Sequence, residues 1–502
     1  MNRQMSGTKD THNSKTMNSK LETRNYEVTI GLETHVQLKT SSKLFCGCST
    51  QFGSSPNSQT CPICLGFPGV LPVLNRRVVE LALRVGVALN AKINSRMKFD
   101  RKNYFYPDLP KNFQISQYDL PIAINGKLEV SLDGGLFEVG IRRVHIEEDA
   151  GKLVHKADGS ASLVDFNRSG MPLIEIVTEP DLHSPEEAFS YLEQLKSILQ
   201  YLQVSECDME KGSLRCDANI SLKVKGVDDL GTKAEVKNIN SFRGVRAALT
   251  YEIKRQSEEL DLGNRIVQET RLWDQEADVT RHMRSKEGAH DYRYFPEPDL
   301  VPFLITEEMI DEVRRNLPEL ARERQRRFIK QYALPEYDAL ILTKTKAVAD
   351  YFESCARLYP KTKMIANWVM GDLMAQANEQ GVEIPQLDCP PEWLVEMLEL
   401  VDRQTLSGKM AKELLIEMIQ KKQSPQTIVA EKGLAQISDE SSLLGIICDV
   451  IQKNEKSVQD YCSGKTTALM FLVGQVMRET HGKANPQRVQ EFLRKELEKG
   501  EA

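Results

Sequence analysis

A carboxylate, Glu175, stands in the middle of a short apolar run of β-strand type, and this position most needs a chemical explanation. The run covers residues 172–178 and follows the polar, turn-like segment 164–171. Burying an unpaired carboxylate costs several kcal/mol or more, so core strands normally exclude one. A glutamate here therefore needs a cation, a hydrogen-bond network or a metal ion.

Glu33 and His35 form a second candidate pair, two residues apart in a segment of alternating apolar and polar residues, 30–38. Residues two apart in a strand project from the same face, so both side chains could reach one cation or its bound water. A solvated strand face is the alternative, and this segment alone does not exclude it.

Three further segments combine acidic and basic residues. Residues 145–152 carry three acids and two bases around a predicted turn, and the other two segments alternate like strands. The polar positions of those two are Arg215, Asp217, Asn219, Lys233, Glu235 and Lys237. Carboxylates bind Mg²⁺, and Arg or Lys neutralises phosphate oxygens, so such strands side by side indicate a site for a metal–nucleotide complex.

Four of the ten cysteines form two close pairs separated by twelve residues: Cys46, Cys48, Cys61 and Cys64. Two such pairs can bring four thiolates to a tetrahedron, which predicts a structural Zn²⁺ site without an open position for catalysis. A redox pair and four reduced buried thiols are the alternatives. The scattered remaining cysteines favour a reducing compartment over a disulfide scaffold.

Three stretches, residues 30–36, 147–152 and 164–181, resemble the B subunit of the glutamyl/aspartyl-tRNA amidotransferases. The likeness extends over 99–118, 212–242 and 291–299 and, more weakly, to the C-terminus. Only some members of that family carry the cysteine quartet, so the resemblance permits zinc without requiring it.

The resemblance implies an α+β fold whose large mixed or antiparallel sheet forms a cradle domain similar in layout to the catalytic domain of glutamine synthetase. It implies that this domain binds ATP and a divalent metal, Mg²⁺ with Mn²⁺ as the alternative. The implied metal ligands are Glu33, His35, Glu148 and Glu175. His35 is unusual among them, because Mg²⁺ prefers oxygen ligands.

Two overlapping sets of residues are the candidates for the remaining roles. We expect catalytic contacts from Glu148, Glu175, Arg215, Asp217, Asn219, Glu235 and Lys237. We expect nucleotide and phosphate contacts from Arg143, Lys152, Arg215, Lys233 and Lys237.

The implied activity is that of an ATP-dependent carbon–nitrogen ligase with glutamine as amido donor. The side-chain carboxylate of Glu-tRNA(Gln) or Asp-tRNA(Asn) would be phosphorylated and then amidated with ammonia, giving Gln-tRNA or Asn-tRNA. No remaining cysteine has the context of a nucleophile and no serine-amidase signature is present, so we expect another polypeptide to supply ammonia. The resemblance implies a heterotrimer whose other members are an amidase, the A subunit, which acts as the glutaminase, together with the small C subunit.

Two other interpretations remain open. A non-catalytic, zinc-stabilised RNA-binding scaffold would explain the cysteines and the helical C-terminal part, but not the aligned acids and bases. The related archaeal-type protein carries an extra inserted domain, for which 502 residues leave little room. Residues 99–108 interleave bases with aromatics, which suits stacking of an unpaired base and contact with phosphate or, equally, an ordinary packed strand. The resemblance favours a role near the tRNA acceptor end.

Four regions are predicted along the chain. Residues 1–25 contain almost nothing to bury and are expected to be disordered. Residues 26–295 are strand-rich and form the predicted catalytic domain, 296–410 a helical domain, and 411–502 a helical tail that binds tRNA. Ser184 and Ser241 stand where helices of the catalytic domain should begin.

The overall charge and hydropathy argue against two classes of protein, histone-like nucleic-acid binders and membrane proteins. A net charge of −6 argues against a histone-like binder of nucleic acid, although it does not exclude local basic patches. No apolar run reaches the roughly 18 residues that a membrane helix needs. We therefore expect a cytoplasmic protein that does not enter a membrane.

Overall fold

The structure is a computed structural model that describes residues 25–132, 135–156, 158–285, 292–432, 440–480, 484 and 486–499. The chain divides into two compact units, residues 1–317 and 318–502. The predicted disordered extension, 1–25, lies outside the described residues except for Asn25.

The strands of the first unit lie in chain order as follows. They are β1 (Tyr26–Gln37), β2 (Lys92–Ile93), β3 (Arg96–Met97), β4 (Asp100–Asn103), β5 (Phe113–Ser116), β6 (Ala123–Leu132), β7 (Gly135–Glu148), β8 (Lys152–His155), β9 (Ser162–Asp165), β10 (Pro172–Thr178), β11 (Leu214–Val224), β12 (Ala234–Lys237), β13 (Glu269–Asp274), β14 (Val279–Ser285), β15 (Phe295–Pro296) and β16 (Phe303–Leu304).

Nine of these strands form one large sheet with the order β14-β13-β12-β11-β1-β10-β7-β6-β2. Its described neighbours pair antiparallel except β12 with β13, which are parallel. Smaller sheets have the orders β15-β4-β5, β16-β3 and β8-β9. The prediction of a large mixed sheet is confirmed.

Four helices accompany the strands of this unit: α1 (Arg76–Ala88), α2 (Pro185–Tyr201), α3 (Phe242–Asp261) and α4 (Glu307–Arg315). The Ser184 hydroxyl accepts a hydrogen bond from the Glu187 backbone N–H at 3.1 Å, and Ser241 caps α3 in the same way. Both predicted helix starts are confirmed, because each hydroxyl satisfies a backbone donor that the first helical turn leaves without a partner.

The large sheet has one apolar and one polar face because its central strands alternate. Along β1, Ile30, Leu32 and Val36 are fully buried in the core, while Glu33 and His35 project from the other side. Helices α1, α2 and α3 pack against strands of this sheet. The apolar face thus supplies the core, and the polar face is left to carry charged groups.

The expected domain boundary at 295/296 falls inside the first unit. Backbone pairing continues beyond the prolines, since Phe303 on β16 pairs with Met97 on β3, and α4 then contacts α1. The break between the two compact units comes at Leu317 and Pro318.

The second unit is helical throughout its described residues. Its helices are α5 (Ala321–Tyr332), α6 (Glu336–Leu342), α7 (Lys346–Leu358), α8 (Thr362–Trp368), α9 (Met374–Gln380), α10 (Pro391–Asp402), α11 (Gly408–Lys421), α12 (Pro425–Lys432), α13 (Glu440–Lys453), α14 (Glu455–Cys462), α15 (Thr467–Glu479) and α16 (Pro486–Lys499). A π-helical turn, Val369–Leu373, joins α8 to α9.

Two hydrophobic clusters stabilise this unit. The first runs from Phe328 to Ile428 and the second from Leu443 to Leu497. The division expected after residue 410 therefore falls within the first cluster, because α11 packs into it through Leu414. Among the described helices, none combines the length and apolar character that a membrane crossing requires.

Candidate active site

The site begins with a row of side chains across three neighbouring strands. In the register of the sheet, His35 on β1 lies opposite Glu175 on β10, and Glu175 lies opposite His145 on β7. Directly opposed residues project from the same face, and Glu147, two residues after His145, joins them there. Strand register therefore brings two histidines and two glutamates together on the polar face.

The four side chains form a compact acid–histidine cluster. Glu175 Oε2 lies 3.0 Å from His145 Nε2 and 3.5 Å from His35 Nε2. Glu147 lies 3.7 Å from His35 Nε2 and 3.8 Å from His145 Nε2. Both glutamates are buried, so this cluster answers the question of how a carboxylate can stand inside an apolar strand.

The electrostatics of the cluster favour charged forms. Burial opposes protonation of His35, but the charges of Glu175 and Glu147 outweigh it and raise the pKa of His35 to about 9. The same two carboxylates raise the pKa of His145 despite its burial. Burial also disfavours ionised Glu175, yet the two histidines hold the pKa of Glu175 well below its ordinary value. The carboxylates of Glu147 and Glu175 thus favour a positively charged group between them.

The cluster fits a divalent cation by its donor set. Ligand atoms of His35, Glu147 and Glu175 all lie within 4.8 Å of one another. Two carboxylates and one imidazole suit Mg²⁺ or Mn²⁺, the latter accepting nitrogen more readily.

A second polar row lies beside the cluster. Asn219 on β11 donates a hydrogen bond from Nδ2 to Glu33 Oε1 at 3.0 Å. Lys237 Nζ pairs with Asp217 and lies 3.3 Å from Glu235 Oε1. These five predicted residues therefore share one face, but no described contact joins them to the carboxylates of the cluster.

Asp149 connects the cluster strand β7 to two arginines. Arg215 Nη2 lies 2.8 Å from Asp149 Oδ2, and Arg168 Nε lies 3.5 Å from the same oxygen. Gln37 donates to that oxygen as well, at 3.0 Å. Arg215 thus reaches the face as predicted, held by a buried aspartate that the sequence did not single out.

Two cations near the cluster have no carboxylate within ion-pair distance among the described residues, namely Lys102 and Arg143. Lys102 on β4 lies with its Nζ 4.9 Å from the ring centroid of Tyr292. Burial opposes the charged ammonium, but its neighbours, the Tyr294 phenol and the carboxylates of Glu147 and Glu175, raise the pKa of Lys102. A cation that faces two carboxylates without pairing to them is suited to neutralise a phosphate brought to the same place.

Several polar atoms on this face are buried without a hydrogen-bond partner in the described structure. They are Arg143 Nε, His145 Nδ1, Arg215 Nε and Asn219 Oδ1. Buried polar atoms are normally paired, so a group of unpaired ones on one face marks a place where a ligand or ordered water completes the structure.

Three predicted residues lie outside this arrangement. Glu148 projects from the opposite side of β7, where it pairs with Lys111 and lines a cavity of about 220 Å³ together with Cys46 and Arg101. Lys152 is exposed on β8, and Lys233 is exposed just before β12.

The four cysteines predicted to hold zinc come together. Their sulfur atoms all lie within 4.8 Å of one another. Hydrogen bonding from Cys46 lowers the pKa of Cys64 to about 4, and Lys43, with its buried Nζ 3.6 Å from Cys64 Sγ, acts in the same direction. Four converging sulfurs beside a buried ammonium fit a metal–thiolate centre, which carries negative charge.

His145 and Glu147 are the candidate site residues that sequence reasoning missed, whereas Lys102 lies in the segment 99–108, for which it considered base stacking and phosphate contact without assigning single residues. The segment 145–152 was interpreted as a turn, whereas β7 runs through Glu148 and ends there. A strand period of two over these residues would have placed His145 and Glu147 on one face and Glu148 on the other.

Comparisons with known proteins identify the family of this chain. Residues 28–311 match the family model described as the GatB/GatE catalytic domain, and residues 350–497 match the one described as the GatB domain. Similar full-length relatives are named as the B subunit of aspartyl/glutamyl-tRNA(Asn/Gln) amidotransferase. That of Caldanaerobacter subterraneus subsp. tengcongensis is 57% identical over 475 residues, covering 94% of this chain and 100% of the relative. Those of Carboxydothermus hydrogenoformans and Thermodesulfovibrio yellowstonii are 55% and 52% identical, covering 95% and 94% of this chain and 100% and 99% of the relatives. The chain belongs to the family of aspartyl/glutamyl-tRNA(Asn/Gln) amidotransferase B subunits.

Proposed function

We propose that this protein is the B subunit of an ATP-dependent amidotransferase that converts Glu-tRNA(Gln), Asp-tRNA(Asn) or both into the amidated forms. The observation that carries this is the acid–histidine cluster on the polar face of the sheet, with two nearby cations, Lys102 and Arg143, that have no carboxylate within ion-pair distance among the described residues. Family membership supports the same activity, since the relatives are named for it.

The reaction needs activation because a carboxylate has no good leaving group. An oxygen of the tRNA-bound side-chain carboxylate attacks the γ-phosphorus of ATP. The bond between the γ-phosphorus and the oxygen that bridges the β- and γ-phosphates breaks, and ADP leaves with the electron pair. Ammonia then attacks the acyl carbon, the C–O bond breaks, and inorganic phosphate departs with the electron pair. The nitrogen loses a proton to water or a nearby base, and the amide remains.

The metal site is proposed for His35, Glu147 and Glu175, with Glu33 in the adjacent row. A bound Mg²⁺ or Mn²⁺ would neutralise charge on the phosphoryl oxygens. Glu148, a ligand in the sequence-based proposal, is left out because it projects from the opposite side of β7 and pairs with Lys111.

Lys102 and Arg143 are proposed to bind phosphate oxygens. Arg143 belongs to the cluster strand β7 and Lys102 to β4 of the neighbouring sheet. Neither has a described carboxylate partner, so both can bind an anion without first breaking an ion pair. Lys237 and Arg215, by contrast, are already paired with Asp217 and Asp149, and we propose that they fix the shape of the site.

Ammonia is proposed to come from an amidase, the A subunit, in a heterotrimer that the small C subunit would complete. The relatives are named as a B subunit, which denotes one component of a larger enzyme. The four cysteines are proposed to hold a structural Zn²⁺, because four thiolates leave no open position for catalysis. The likeness of the first unit to the catalytic domain of glutamine synthetase stays a prediction, as does tRNA binding by residues 411–502.

The test is ATP consumption by the complex assembled with its partner subunits. ADP should form only when mischarged tRNA and a divalent metal are both present, because the carboxylate of that tRNA is the acceptor. ATP consumption that is absent, or indifferent to mischarged tRNA, would favour the non-catalytic RNA-binding scaffold instead. Supplying Glu-tRNA(Gln) and Asp-tRNA(Asn) separately identifies the substrate.

A further inference from the structure

Four aromatic rings form a continuous group on the first unit, which we call the tyrosine platform: Tyr104, Tyr118, Tyr292 and Tyr294. The rings of Tyr118 and Tyr294 are stacked, with centroids 4.4 Å apart and planes at 13°. Tyr292 meets Tyr294 edge-on at 6.1 Å and Tyr104 at 6.0 Å.

The tyrosine platform lies beside the acid–histidine cluster. Tyr118 follows β5 by two residues, and Ser116 at the end of β5 donates from Oγ to Glu147 Oε2 at 3.3 Å. On the other side, the Tyr292 ring contacts Lys102, which faces Glu147 and Glu175 and has no carboxylate partner among the described residues. A flat molecule on the platform would therefore have its charged end near the cluster and Lys102.

Tyr118 presents an open stacking surface. The residue is 46% exposed, and one face of its ring stacks on Tyr294, while no aromatic ring of the described residues covers the other face. A packed core residue would be buried on both faces, so among the described residues the half-exposed Tyr118 ends the aromatic stack.

Hydrogen bonds within the protein hold the backbone that carries the tyrosine platform. The Tyr118 N–H donates to Asp100 Oδ2 at 2.9 Å. The Asn103 amide donates to the carbonyl oxygens of Tyr292 at 3.4 Å and Arg293 at 2.9 Å. Binding here would cost little ordering of the protein, which favours recognition of a flat ring.

We infer that Tyr118 stacks an adenine ring whose attached phosphate or ribose end points toward Lys102 and the cluster. This inference rests on the proposed function, which brings two adenines to the site: that of ATP and that of the 3′-terminal adenosine of tRNA. Stacking recognises the aromatic face that both share.

The two sources are separated by steady-state kinetics of the assembled complex. Tyr118→Leu removes the stacking ring, whereas Tyr118→Phe keeps it and loses only the hydroxyl. If ATP supplies the adenine ring, Tyr118→Leu raises KM for ATP about tenfold and leaves KM for mischarged tRNA near wild type. If tRNA supplies the ring, Tyr118→Leu raises KM for mischarged tRNA about tenfold and leaves KM for ATP near wild type. In either case Tyr118→Phe should stay within about twofold of wild type on the affected KM, because a phenyl ring stacks as well.

The inference is overturned if Tyr118→Leu changes neither KM, or if Tyr118→Phe is impaired as severely as Tyr118→Leu. A second variant, Tyr118→Trp, guards against a folding defect of the leucine variant. It enlarges the ring, so the affected KM should hold or fall, and a rise would also contradict stacking. Failure of the proposed function is distinguishable, because the wild-type complex would then show no tRNA-dependent ADP formation at all.

Discussion

Glu147 and Glu148 are neighbours in sequence with opposite surroundings. Glu147 lies 3.7 Å from His35 Nε2 on the polar face, whereas Glu148 pairs with Lys111 on the other side of the strand. Two chemically identical side chains in adjacent positions give a matched test of which one binds the metal.

Glu147→Gln should raise the Mg²⁺ concentration for half-maximal amidation by about tenfold or more, because a neutral amide is a poorer ligand for a hard cation. Glu148→Gln should leave that concentration unchanged, whatever it does to the maximal rate. The measurement is a Mg²⁺ titration of amidation by the assembled complex at saturating ATP. Equal shifts in the two variants would show that the assignment by strand face is wrong.

The cysteine loop shows how one element holds another. Between its two cysteine pairs, the Asn57 N–H donates to Asp165 Oδ1 at 3.0 Å and the Asn57 side chain donates to the Val164 carbonyl at 3.0 Å. Asn167 donates back to the Ser55 carbonyl at 2.7 Å. Residues 164–171, which lead into the strand of Glu175, are thus fastened to a loop that four thiolates would close.

Purified, reduced protein should contain about one zinc per chain, since four thiolates make a complete tetrahedral site. Cys61→Ser should lose it, because three thiolates and a hydroxyl form a weaker site. Cys448→Ser is the matched control, as Cys448 is exposed and far along the chain from the quartet. Elemental analysis provides the measurement, and zinc-free wild type prepared without chelator would contradict the assignment.

The sequence predicts elements better than it predicts contacts between them. The polar face of β1 and the helix caps at Ser184 and Ser241 follow from local periodicity and capping, and the structure confirms them. The partnership of Glu175 with His145 depends on the pairing of β10 with β7, which no local pattern encodes. The placement of Lys102 near the cluster is not predictable from its own segment for a related reason, since Lys102 belongs to a different sheet from the cluster that it faces.

In the second unit, a buried ion pair joins α5 to α7. Glu353 is 8% exposed and accepts hydrogen bonds from Arg324 and from Arg327, the latter at 2.6 Å. Burial opposes ionisation of this carboxyl, but the two arginines outweigh it and lower the pKa of Glu353. A lowered folded-state pKa means that the pair stabilises the fold above the unfolded pKa and that this stability is lost as pH falls below about 4.5.

Glu353→Gln should lower the free energy of unfolding of this unit by about 2 kcal/mol at pH 7 and should flatten its loss of stability on acidification. Urea unfolding followed by tryptophan fluorescence measures it in a Trp273→Phe background, where Trp368 and Trp393 report on the first hydrophobic cluster. Glu319→Gln is the control, because its pair with Arg327 is one-third exposed and should contribute under about 1 kcal/mol. Equal effects of the two substitutions would contradict the role of burial.

At the scale of the whole molecule, the candidate functional residues lie in one compact unit and the helical part forms the other. The described acid–histidine cluster, cysteine quartet and tyrosine platform all belong to residues 1–317. The family models follow the same division, with one match ending at residue 311 and the other beginning at 350. Since we propose that a partner amidase releases the ammonia, substitutions in the cluster should impair amidation and leave glutaminase activity measurable.

The most direct measurement is the effect of Glu175→Gln on the assembled complex, with amidation, mischarged-tRNA-dependent ADP formation and glutaminase activity followed in parallel. Loss of this carboxylate should reduce the first two by about a hundredfold or more, because charge on the transferring phosphoryl group loses its stabilisation. Glutaminase activity of the partner should remain measurable. Full amidation by this variant at saturating ATP would contradict the claim that the acid–histidine cluster activates the tRNA-bound carboxylate.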